Sequence, residues 1–198
     1  MVEFKNVKVY GLEESMIRSG YPMRFDEPLI LDGGYTGKDE DRLVKLGKVK
    51  TGTGHDNALK GIIVQFDLKY PLYFTKQLQR YHWIDIISSQ STMHTITKRG
   101  DITTFCNEWV DMGIISIIND YIKLYNEEED EVLKKRIFMK LISNLPSGFE
   151  MWMGISTNYL QLKTIYFQRK NHKLPDWKVF CGWIEKLPMM DKILGIST

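Results

Sequence analysis

The residues best suited to chemistry fall in two clusters. Positions 77 to 94 read QLQRYHWIDIISSQSTMH, which sets Gln77, Arg80, His82, Asp85, Ser91, Thr92 and His94 among bulky apolar residues. His82 and Asp85 are three apart, a spacing that lets them pair on one helix face. A carboxylate beside an imidazole would favour its protonated form; the alternative is a pair that only fixes packing. Ser88 to Ser91 read either as a helix terminus or as hydroxyl and backbone donors for an anion. In the second cluster, Asn158, Leu162, Ile165, Arg169 and His172 recur at spacings of four, three, four and three. They share one stripe of a helix, apolar in its middle and polar at both ends. Such a stripe is either a helix edge whose Arg snorkels to water or the lining of a ligand cleft. His55, in GHDNAL, stands in a glycine-rich turn and by itself reads as a surface residue.

Other chemistries are excluded. GTG at 52 to 54 is too short for a phosphate loop. The four His and two Cys are too scattered for a zinc site, so no metal is expected. There is no G-x-S-x-G nucleophile turn. The formal net charge of +2 gives no electrostatic case for nucleic acid or an anionic membrane. Only KRG and QRKNHK are locally basic. The longest apolar runs fall well short of the roughly 18 residues of a membrane span. MVEFKNVKVY carries no apolar signal core. Cys106 and Cys181, far apart, suggest a reducing compartment. A cytoplasmic protein is expected.

The elements that must position these residues follow from patterning. Residues 4 to 10 alternate as a strand, and GLEESMIRSG reads as a short helix closed by Gly20. Residues 21 to 40 read as loop. DRLVKLGKVKTGTGHDN begins helical and breaks at its glycines. In KGIIVQFDLKY, Ile62, Val64, Phe66 and Leu68 alternate with Ile63, Gln65, Asp67 and Lys69, the pattern of a half-buried strand. Pro71 then opens a helix expected to run from about 71 into the high 80s. TTFCNEWVDMGIISIINDYIKLYN, NEEEDEVLKKRIFMKLISN and NYLQLKTIYFQRKNH read as three further helices. The acidic start of the second suits the helix dipole. Asp176 is expected to cap DWKVFCGWIEKL. The fold class is α+β with a helical C-terminal half, one domain over residues 1 to 198. With 43% hydrophobic and 12% aromatic residues the chain can build a core.

The order of these features resembles a known family. GHDNALKGIIVQFDLKYPLYFTKQLQRYHWIDIISSQS is similar to the core of the flavin-dependent thymidylate synthases (ThyX-like proteins). There a Gly-His-x-x-x-(Leu/Phe)-Glu-His segment leads into an alternating strand that ends at a Pro. A helix follows with Arg-Gln-(aromatic)-x-Arg-His-Arg, then an Asn-Glu-x-Ser-x-Arg loop. Counted from Pro71, Gln77 meets the family's Gln and Arg80 its first motif Arg. Tyr81 meets the motif His, His82 the second Arg and, after one extra residue, Ser91 the motif Ser. His55 meets the His before the strand. A second block agrees: Leu145 and Pro146, then Asn158, Arg169 and DWKVF around Trp177 follow the family's Leu-Pro, Asn-x-Arg, Leu-Arg and Gln-Trp-Glu order. The resemblance spans about residues 40 to 185. The departures are Tyr81, His82, Ser89, Met93, Lys60, Gly61, Leu160 and Ile142, several at positions where the family holds phosphate or flavin through arginine.

The resemblance implies an antiparallel sheet with long helices and an FAD enzyme that modifies a deoxypyrimidine monophosphate at C5. NADPH and methylenetetrahydrofolate would serve as co-substrates. It implies Arg169 and Ser91 as catalytic residues, and Gln77, Ser91, Thr92 and Arg169 as nucleotide ligands. His55, Arg80, His82 and Asn158 would border the flavin. It further implies a homotetramer with sites between subunits and, in so compact and divergent a member, a phage-like origin. The alternative is a nucleotide-binding or structural protein on the same fold that has lost flavin or phosphate binding.

Overall fold

The computed structural model describes residues 1–25 and 34–196. Part of the loop expected over 21 to 40 lies outside the described residues. The rest of it holds a single turn at Tyr21–Met23 and the start of a helix at Gly37. The order is β1 (Glu3–Tyr10), α1 (Leu12–Arg18), α2 (Gly37–Gly47), β2 (Ile63–Pro71), α3 (Leu72–Leu78), β3 (Asp85–Ser89) and α4 (Thr92–Thr95). Then come α5 (Met112–Glu127), α6 (Glu131–Asn144), β4 (Glu150–Asn158), α7 (Tyr159–Arg169), α8 (Pro175–Glu185) and α9 (Met190–Leu194). The expected α+β class holds.

The four strands form an antiparallel sheet in the order β1-β2-β4-β3. β2 and β4 pair along their whole length, from Ile63 opposite Asn158 to Pro71 opposite Glu150. The alternation read in β2 is realised: Val64, Phe66 and Leu68 are buried, and Met151, Met153 and Ile155 of β4 are buried beside them. Helices α7 and α8 cover this face. Phe180 of α8 packs edge-on to Phe66, and Phe74 of α3 lies 4.5 Å from the Trp177 ring. Each fully buried aliphatic or aromatic side chain contributes about 1.5–3 kcal/mol. The opposite face of the sheet is open.

Two expectations are corrected. The helix expected from 71 into the high 80s stops at Leu78, and residues 85 to 89 are an edge strand. The run Ile84-Asp85-Ile86-Ile87 is β-branched and suits a pleated surface, and β4 offers it an unpaired edge. The Trp83 C=O also accepts from the Thr157 hydroxyl, and its N–H donates to Gln161 Oε1. A helix would need that N–H for its own ladder. β4, which follows the Leu145–Gly148 turn, is the strand that joins β2 to β3.

Asp176 does not cap α8. It is buried and accepts hydrogen bonds from the Val2 N–H at 3.1 Å and the Tyr73 hydroxyl at 2.7 Å, tying the N-terminal strand and α3 to α8. Among the described residues no helix is long and apolar enough to cross a membrane, and no group of His, Cys, Asp and Glu could hold a metal.

Candidate active site

The end of α3 and the end of α7 converge on Trp177. The Trp177 side chain is fully buried, and its indole N–H donates to Gln77 Oε1 at 2.8 Å. An indole nitrogen can only donate, so the Gln77 amide has one orientation: oxygen toward Trp177, NH2 away. That NH2 donates to no protein group among the described residues. The Arg169 guanidinium lies 4.8 Å above the Trp177 ring and 5.6 Å from that of Tyr81. Its Nε donates to the Tyr81 hydroxyl at 2.7 Å. No carboxylate pairs with Arg169 among the described residues. Such a cation, held by rings rather than by an acid, keeps its charge available to a ligand.

The stripe read on α7 is therefore built as follows. Asn158 is the N-cap, its Oδ1 accepting the Gln161 N–H at 2.9 Å. Leu162 and Ile165 are core. Arg169 emerges at the last turn, half-buried. His172 lies just beyond the helix, its Nδ1 accepting the Leu174 N–H at 3.1 Å, which leaves Nε2 to carry the proton of the neutral ring. Desolvation first, then the charges of Arg169 and Lys173, hold His172 below the ordinary imidazole range.

Gln77 and Arg169 both meet Trp177, and the other expected residues do not. Ser91 is the N-cap residue of α4 and Thr92 its first residue, both half-buried beyond β3. No hydrogen bond links either one to Arg169 or Gln77. Arg80 and His82 are exposed on the turn between α3 and β3, and His55 is exposed in the turn before β2. His82 and Asp85 do not pair on a helix, because no helix carries them. The His82 ring instead meets Trp83 edge-on, and both residues are exposed. Asn158 is 8% exposed, and its carbonyl oxygen is taken up by the cap.

Two features escaped the reading of the residues. Tyr81 looked like a break in the motif, yet its hydroxyl is the partner of Arg169. Lys163 and Asp56 form an ion pair at 2.7 Å with both side chains 2% exposed. The Lys163 ammonium also donates to the Val49 carbonyl, so α7 clamps the turn that presents His55. Burial pushes the thiols of Cys106 and Cys181 up to about 11. Both are free and protonated at neutral pH, so neither is poised as a nucleophile. On the open sheet face a groove of about 510 Å³ is lined by Lys5, Asp67, Ser88, Ser89, Trp152 and Gly154.

The fold is that of flavin-dependent thymidylate synthases. A crystal structure of thymidylate synthase X (ThyX) from Helicobacter pylori with FAD and dUMP superposes with a TM-score of 0.64 at 13% sequence identity, covering 98% of this chain and 95% of that one. A second crystal structure of flavin-dependent ThyX from Helicobacter pylori, complexed with FAD and dUMP, superposes with a TM-score of 0.64 at 14% identity, covering 98% and 96%. No protein-family model matches the sequence, and no curated protein matches it.

Proposed function

We propose that the chain binds a deoxypyrimidine monophosphate at Arg169 and Gln77 and carries out a flavin-dependent one-carbon modification at C5. The observation that carries this reading is Arg169, which pairs with no carboxylate among the described residues and rests on Trp177, the same indole that fixes Gln77 through its N–H. Arg169 offers donors only, and Gln77 has its NH2 donors unengaged among the described residues. They suit a ligand edge of carbonyl oxygens or an oxyanion, which a pyrimidine nucleotide provides. Arg169 would stabilise negative charge on the ring as C5 becomes nucleophilic, and Gln77 would hold the nucleotide in register. Neither thiol is activated as a nucleophile, which suits a reaction whose electrons come from a cofactor.

The family's cofactor is FAD, which when bound would supply hydride. Arg80, His82 and His55 are exposed donors suited to its phosphates and polar ring edge. Asn158 gives its Oδ1 to the helix cap and keeps its amide NH2 for the same role. NADPH and methylenetetrahydrofolate are the proposed reductant and one-carbon donor. Ser91 and Thr92 would reach the nucleotide from a neighbouring copy in a homotetramer. The exposed Trp83 and Ile87 beside and on the edge strand offer apolar surface for that contact.

A second reading is favoured by Met93, Leu160 and Ile142. Met93 is exposed, while Leu160 and Ile142 pack against the core, and none can hold phosphate. On that reading the protein binds nucleotide without flavin. Visible absorption of the purified protein, before and after adding FAD and desalting, separates the two. A retained flavin band that shifts on adding dUMP is expected. A protein that stays colourless in excess FAD contradicts the enzyme and leaves the nucleotide-binding reading.

A further inference from the structure

We infer that Tyr81 is a positioning residue: by accepting the Nε–H of Arg169, it commits the guanidinium to meet its ligand with the terminal Nη1 and Nη2 edge. The inference rests on the reading of Arg169 as a nucleotide ligand. A guanidinium has two usable edges for a planar acceptor, one side-on through Nε and one end-on through the two Nη groups. Here the side-on edge is engaged, because Nε gives its proton to the Tyr81 hydroxyl at 2.7 Å. The Trp177 ring, 4.8 Å from the guanidinium carbon, holds the group in place as well.

The support is rigid. Tyr81 is 8% exposed and meets Trp177 edge-on at 6.0 Å. Trp177 is fully buried and locked by its bond to Gln77. Two backbone bonds hold the turn that carries Tyr81, from the Tyr81 N–H to the Leu78 carbonyl and from the Ile84 N–H to the Tyr81 carbonyl. The phenol oxygen thus sits on a fixed frame and aims a long, otherwise adaptable side chain. Without it, the last torsions of Arg169 are free to offer either edge, and part of the binding free energy goes to ordering them. Tyr81 also stands where the similar family's motif carries His, so this device belongs to the present chain.

Tyr81→Phe keeps the buried ring and removes only the oxygen. Two measurements test it. In calorimetric titrations with dUMP, the Kd should rise about three- to tenfold, the cost of ordering one long side chain on binding. In nitrogen-edited NMR of the ligand-free protein, the Arg169 Nε–H should be protected from solvent exchange in the wild type and exchange freely in the variant. That signal reports the orientation of Arg169, and a change confined to packing would not move it. A wild type that binds dUMP beside a Tyr81→Phe variant of equal Kd overturns this inference alone, as does an Nε–H that exchanges equally in both. A wild type that does not bind dUMP overturns the proposed function and this inference with it.

Discussion

Arg169 gathers most of what is distinctive at the scale of single residues. A half-buried guanidinium needs something to offset its desolvation. Here two aromatic rings and one phenol supply the offset. The same charge acts on His172. Burial and the neighbouring Arg169 and Lys173 lower its pKa from the ordinary 6.5. The fold therefore favours the neutral ring. Its stabilising effect is fully present above 6.5 and is lost as pH falls through the lowered value. An NMR titration of His172 should give a midpoint below 6.5, and His172→Gln should flatten the fall in stability on the acid side. A midpoint at or above 6.5 would contradict the arrangement. Sequence spacing could put His172 and Arg169 on one stripe. It could not show that Tyr81, 88 positions earlier, completes the set.

At the scale of elements, the sheet is held by partners far apart in sequence. β2 was legible because its alternation is local and nearly perfect. β3 was not, because Ile84, Ile86 and Ile87 make a short apolar run that suits helix and strand equally. Only pairing with β4, more than 60 positions later, decides between them. β4 itself, EMWMGISTN, mixes methionines with a glycine and lacks the β-branched run that marks a strand. The clamp between α7 and the turn before β2 was equally invisible: Lys163 and Asp56 are separated by 107 positions. Breaking a buried pair by removing one partner leaves a stranded charge and costs about 3–5 kcal/mol. Lys163→Met should lower the unfolding free energy in urea by that amount. Adding Asp56→Leu should recover part of it, because the charge left behind is then gone. A single variant as stable as the wild type would show that the pair is not the anchor.

At the scale of the whole molecule, the fold holds up better than the motifs. The alignment of elements survives at 13–14% identity to the ThyX structures, while the arginines expected for phosphate are absent at Met93, Leu160 and Ile142. The order of the two blocks made the fold legible. The short helix α3, the edge strand and the Tyr81 contact were hidden because they depend on which elements meet. The molecule that results has one sheet face packed and the other open. At one end of the packed layer, Gln77, Tyr81, Arg169 and Trp177 converge from three helices and the turn after α3.

The central claim is that this convergence binds a deoxypyrimidine monophosphate. Isothermal titration of dUMP into the wild type and Arg169→Ala tests it most directly, with circular dichroism confirming that both are folded. Removing one charged partner of a desolvated contact costs about 2–5 kcal/mol, so affinity should fall at least about thirtyfold. A folded Arg169→Ala protein that binds dUMP as tightly as the wild type would contradict the account.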